Sequence, residues 1–171
     1  ADLILGPEMK STGEVMGISK NFGVSFAKAQ LSAGNKIPTG GTCFLSFVDT
    51  DKEHAAEIGS GLVKHGFKLV ATKGTQEILA NAGIACERVL KISEGRPNIE
   101  DSMKNDEIVM AINTSDNNTS KKDAVVIRQE VLRRSIPYFT TLSAARALIL
   151  ALDEMKDESW SKSTALQDFL V

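Results

Sequence analysis

The four residues Thr72-Lys73-Gly74-Thr75 combine what an anion site needs. Glycine lets the backbone come close to a ligand, while two hydroxyls and the N–H groups of a following helix donate to phosphate oxygens. Threonine also caps helices with its own side chain, so Thr72 or Thr75 has a purely structural use open to it as well. Other short polar segments carry similar donors: Ser46, Asp49-Thr50-Asp51-Lys52, Lys91 and Asn113-Thr114-Ser115. Lys52 falls in the first turn of an expected helix, where a cation opposes the helix dipole at about 0.3–1 kcal/mol. Asp49, Asp51 and Glu53 offset that cost, which leaves Lys52 either an anion ligand or a solvated lysine. Lys91 has the same two readings, and Asn113 to Ser115 can equally be a turn. The phosphate reading rests on convergence, because the loops after four expected strands supply the same kind of donor, Ser46 and Asp49 to Lys52 sharing the first.

Catalytic chemistry is harder to assemble. His54 and His65 are the only histidines, and both fall in one expected helix as scaffold. Cys43 and Cys86 have no histidine in a partnering loop and are read as small apolar residues. Glu100 and Asp101 follow Glu94-Gly95-Arg96-Pro97 at a helix start, where capping and the dipole explain carboxylates better than base catalysis does. Trp160, in a polar tail, reads as a packing anchor.

The elements that must position these residues follow from alternation. Apolar runs at 42–47, 67–71, 87–90, 107–112 and 138–140 are separated by helical patterns at 51–65, 75–82, 98–104 and 122–134, with another at 143–155. Strand and helix alternating in this way give parallel βαβ units and a doubly wound α/β sheet with helices on both faces. Ligands of such sheets sit beyond the carboxyl ends of the strands, which is where the candidate donors stand. The first part of the chain offers one amphipathic stretch at 21–31, with Phe22, Phe26 and Ala29 on one face, too little to bury itself. A Ser/Gly/Asn/Pro/Thr-rich linker follows.

Bulk properties narrow the partners. The 171 residues, 42% hydrophobic, suit one well-packed domain, and a net charge of −2 without a basic run argues against nucleic acid. Two distant cysteines suit neither a disulfide framework nor a zinc site, and no membrane span or signal peptide is expected, so a cytoplasmic setting is.

The segment Leu5-Gly6-Pro7-Glu8-Met9-Lys10-Ser11-Thr12-Gly13-Glu14-Val15-Met16-Gly17 resembles the end of the second ATP-grasp half of carbamoyl-phosphate synthase large subunits. The remainder resembles the C-terminal allosteric domain of that subunit, through Asp51-Lys52-Glu53, Ala71-Thr72-Lys73-Gly74-Thr75, Lys91 with Glu94-Gly95-Arg96-Pro97, and Ile112-Asn113-Thr114. The resemblance implies a Rossmann-like, methylglyoxal-synthase-like fold with a five-stranded parallel sheet. It divides the chain into an ATP-grasp remnant (1–33), a linker (34–41) and an allosteric domain (42–171). It implies a switch without catalysis of its own, inhibited by uridine monophosphate (UMP) and activated by inosine monophosphate (IMP), in an enzyme serving pyrimidine and arginine biosynthesis. Effector contacts carry over to Ser46, Lys52, Thr72, Thr75, Lys91, Asn113, Thr114 and Ser115. The full subunit would use ATP, magnesium and potassium, pair with a glutaminase small subunit and form oligomers; this chain is expected to hold no cofactor or metal.

Lys91 stands where relatives sensing N-acetylglutamate carry tryptophan, which points to the nucleotide-sensing branch. Tyr138 and Thr140 match a second effector site, for ornithine, but Phe139 replaces the carboxylate that would meet that cation. The loop at 116–120 also departs from the enterobacterial type. The competing enzyme reading is a methylglyoxal synthase acting on dihydroxyacetone phosphate. That enzyme needs an aspartate base in the third loop and a histidine after the fourth strand, and no histidine stands between Asn113 and Lys122.

Overall fold

Strand β1 (Gly41–Phe47) alternates between two apolar layers, as a strand buried on both faces must. Cys43, Leu45 and Phe47 enter one layer, and Phe44 enters the other. In the computed structural model, which describes residues 15–114 and 121–169, β1 is the centre of a five-stranded sheet. Its neighbours are β2 (Phe67–Ala71), β3 (Glu87–Arg88), β4 (Ile108–Thr114) and β5 (Tyr138–Phe139), in the order β3-β2-β1-β4-β5. Every pairing is parallel. The expected doubly wound α/β architecture is therefore observed.

Helices cover both faces. Helix α2 (Ala55–Lys64), α3 (Lys73–Asn81) and α6 (Leu142–Glu154) supply Ile58, Leu62, Leu79, Leu148 and Leu152 to the larger layer. The short α4 (Ile99–Lys104) and the longer α5 (Lys121–Arg133) supply Ile99, Met103, Ile127 and Val131 to the other. Full burial of such a side chain stabilises by about 1.5–3 kcal/mol. The pairing of β4 with β1 shifts register between Thr42 and Cys43, from Ile108 to Met110. That extra residue explains why Ile108 and Ala111, three apart, share one layer.

Several boundaries differ from the sequence pattern. The segment Asp49–His54 is a 3-10 turn, and α2 begins only at Ala55. Lys52 is thus not in the first turn of α2, and the expected dipole penalty does not arise. Strand β4 runs on through Asn113 and Thr114, because β1 pairs with both and Val48 N–H donates to the Thr114 carbonyl at 2.8 Å. Strand β3 is shorter than its apolar run, since Leu90 bridges to Asn98 at the entry to α4. Asn98 caps that helix, and the Asp101 carboxylate accepts from the Asn98 N–H at 3.0 Å, which gives the carboxylate the capping use expected of it.

Helix α1 (Phe22–Ser32) packs on α6 with a different face from the one its aromatics suggest. Gly23 and Ala27 are buried, whereas Phe22 is 63% exposed. The reason is close approach: a Cβ on Gly23 would stand 2.6 Å from the Leu150 carbonyl oxygen, so only small residues fit the contact. Phe26 reaches over to Phe139, with ring centroids 6.3 Å apart. Trp160 packs against the same core, as an anchor. Among the described residues no helix is long and apolar enough to cross a membrane.

His65 closes α2, and its side chain is only 6% exposed. Its Nε2 lies 3.1 Å from Asp153 Oδ1 but off the direction of a hydrogen bond, and burial pulls its pKa below the ordinary imidazole value despite that carboxylate. A depressed folded pKa means the unfolded chain binds the proton first, so stability is full above about pH 6.5 and falls as pH drops through that value toward the folded pKa. We expect the melting temperature to fall between neutral pH and pH 5, and a His65→Gln variant to show a flatter slope over that range; equal slopes would remove His65 as the cause.

Candidate anion-binding site

The chain leaves β1 toward β2 and β3, then returns to add β4 and β5 on the other side. That reversal parts the loops at the carboxyl ends of β1 and β4 and opens a crevice there. Ser46 pairs with Asn113, and Phe47 with Thr114, so the last residues of the two strands stand side by side. A cavity of about 320 Å³ lies over them.

Much of the cavity lining is polar. Ser46, Asp49, Lys52, Thr72, Gly74 and Lys91 line it. Thr72 immediately precedes α3, and its hydroxyl lies 3.3 Å from that of Ser46 rather than capping the helix. The first intrahelical bond of α3 runs from Gln76 N–H to the Thr72 carbonyl, so the N–H groups before it open toward an anion. Lys52 lies across the helix start: a Cβ on Gly74 would come within 2.6 Å of its Nζ. Its ammonium donates to the Asp49 carboxylate, and this bond, with the added charge of Lys91, holds the Asp49 carboxyl below the usual carboxylate range.

Apolar side chains line the cavity too, among them Phe44, Ile92, Ile99, Ala124 and Ile127. Asn113 and Thr114, each buried, also line it. Asn113 donates an amide N–H to the Tyr138 hydroxyl at 3.0 Å, which fixes the amide, and Thr114 Oγ1 accepts from Val48 N–H at 3.2 Å. Asp123, near the start of α5, lines the cavity as well and accepts from the Ser93 hydroxyl at 2.9 Å.

Six of the eight expected effector residues therefore share one cavity: Ser46, Lys52, Thr72, Lys91, Asn113 and Thr114. Thr75 is fully buried beneath it, and its hydroxyl accepts from Phe47 N–H at 3.0 Å. Ser115 lies outside the described residues, as does the loop at 116–120. Tyr138 reaches the site only through Asn113, while Thr140 is exposed at the end of β5. Valine at position 75 would keep the shape but leave Phe47 N–H without an acceptor, at about 1–3 kcal/mol. We expect Thr75→Val to lower the melting temperature by several degrees; an unchanged value would show that the bond carries no weight.

Nucleophilic chemistry finds no support in the thiols. Burial drives the Cys43 thiol far up, and burial with the Glu87 charge pushes Cys86 to about 11, so both stay protonated. Among the described residues, no group of three or more His, Cys, Asp or Glu converges as a metal site would require.

A family model of the MGS-like domain matches residues 54–140, which hold α2 to β5 and most of the cavity. The chain belongs to the MGS-like domain family. Its relatives include the carbamoyl phosphate synthase large chain of Helicobacter pylori strain J99, 54% identical over 99% of this chain and 15% of that protein. The corresponding protein of Campylobacter jejuni is 48% identical over 99% of this chain and 16% of its own length. The carbamoyl phosphate synthase large chain, C-terminal section, of Aquifex aeolicus is 47% identical over 91% of this chain and 29% of that section. The chain thus spans about a sixth of the full-length large chains it matches, and the resemblance carried by its motifs is borne out.

The polar lining of this MGS-like cavity was open to sequence reasoning because Thr, Lys and Gly announce it. Its apolar lining was missed: Ile99 and Ile127 fall within helical patterns, where an apolar residue carries no mark of a ligand. The one available signal was that Ile99 opens a helix following a strand, whereas Ile127 stands in the second turn of α5. Asp123 was missed for a similar reason, as an acidic residue at a helix start has an ordinary explanation.

Proposed function

We propose that this MGS-like domain is the regulatory module of a carbamoyl phosphate synthase large chain and that its cavity takes a nucleoside monophosphate. The observation that carries the proposal is a single cavity lined by two kinds of group: Lys52 and Thr72 with the opening of α3, and the apolar side chains Phe44, Ile92, Ile99 and Ile127. A phosphate would meet a cation and a helix N-terminus, a base would meet apolar side chains, and Ser46, Lys91, Asn113 and Thr114 offer polar groups for a ribose. Ser115 belongs to the same proposal, and Thr75 supports the backbone of Phe47 through its hydroxyl. UMP as inhibitor and IMP as activator are the effectors proposed, with ornithine weak or inert because Phe139 offers no carboxylate.

Residues 1–33 are proposed to continue a preceding ATP-grasp domain, joined through 34–41 to the regulatory unit, 42–171. The ligase reaction, its ATP, magnesium and potassium, the glutaminase subunit, the oligomer and the cytoplasmic setting belong to this same proposal.

The test uses the full-length large chain with its small subunit. UMP should slow carbamoyl phosphate synthesis and IMP speed it, and Lys52→Ala should move both responses to about tenfold to a hundredfold higher concentrations while the basal rate persists. Unshifted responses would refute the assignment. The same reading expects no methylglyoxal from dihydroxyacetone phosphate, since no histidine lines the cavity and Asp101 is committed to the Asn98 cap. Turnover lost in Asp101→Asn would establish a lyase instead.

A further inference from the structure

The anion pocket holds an anion of its own. Asp49 lines the cavity, and its carboxylate accepts a hydrogen bond from the Lys52 ammonium. The lysine side chain is 28% exposed and the aspartate 90%, so the cation is held in the wall and the carboxylate comes to it from the solvent side. Lys91, which lines the same cavity, adds its attraction for the same carboxylate. A phosphate group seeks the same donors, as a charge-assisted acceptor.

We infer that Asp49 is an internal competitor for the anion site, an occupant of Lys52 that an entering phosphate group must displace. This rests on reading the cavity as a phosphate site. Because its pKa lies below the usual carboxylate range, Asp49 is ionised throughout the neutral range and the competition is always in force. Displacement is easy, since a carboxylate this exposed rehydrates as it leaves, and an exposed ion pair is weak. The residue therefore limits affinity without closing the site, which suits a ligand that must come off as its concentration falls. If Asp49 instead served to hold Lys52 in position, its removal would weaken binding, so the two roles differ in sign.

The experiment is a set of calorimetric titrations with inorganic phosphate and with UMP, on the wild-type chain, Asp49→Asn, Lys52→Ala and the double variant. Asp49→Asn should tighten both ligands by about twofold to fivefold. In the Lys52→Ala background the same change should give little or no gain for UMP, because the competed group is gone. Unchanged or weaker binding in Asp49→Asn overturns the inference, as does an equal gain in both backgrounds. Failure of the wild-type chain and Asp49→Asn alike to bind either ligand overturns the phosphate site itself, and the competitor with it.

Discussion

Replacing Lys52 by alanine is expected to weaken nucleoside monophosphate binding by about tenfold to a hundredfold while leaving the melting temperature nearly unchanged. Losing one hydrogen bond to a charged partner costs about 1.5–3 kcal/mol, which converts to that range. The fold does not depend on this lysine, since its only described ion pair is with the exposed Asp49 on its own 3-10 turn. A loss of stability in place of affinity would make Lys52 a structural residue, and unchanged affinity would take it out of the site.

A larger loss is expected from Gly74→Val. The Lys52 ammonium lies over the second residue of α3, where an added Cβ would approach Nζ to 2.6 Å and Cε to 3.1 Å. The end of a lysine can move, so the fold tolerates the change, but it moves away from the helix start at which a phosphate would be held. Two contributions to binding are then lost together: the cation, and access to the N–H groups of the first turn. We expect affinity to fall by about a hundredfold or more, measured by the same titration, with a cooperative thermal transition retained. Glycine in a helix otherwise costs about 0.5–1 kcal/mol relative to alanine, so its presence at this position needs a reason of this kind. Wild-type affinity in Gly74→Val would mean that Lys52 and the opening of α3 do not act on one ligand.

How much of this was legible in the sequence depended on what each residue does locally. The alternation of apolar runs and helical periods placed all five strands, most plainly β1 and β4, whose burial on both faces makes them near-continuous apolar runs. It misplaced Lys52, since the pattern at 51–65 does not separate a 3-10 turn from the first turn of an α-helix. It ended β4 too early, because Asn113 and Thr114 have turn chemistry and only their pairing with Ser46 and Phe47 keeps them in the sheet. Thr75 shows the deeper limit. A threonine in a Thr-Lys-Gly-Thr turn looks like a ligand or a cap, yet its hydroxyl serves the backbone of Phe47, twenty-eight residues away, a partner set only by tertiary packing.

The most direct measurement is a calorimetric titration of the purified 171-residue chain with UMP, IMP, inorganic phosphate and the nucleoside uridine. A cavity with both polar and apolar lining predicts saturable binding of both monophosphates at one site, weaker binding of phosphate alone, and uridine weaker still for want of the Lys52 and α3 contacts. UMP and IMP failing to bind, or uridine binding as tightly as UMP, would contradict the account.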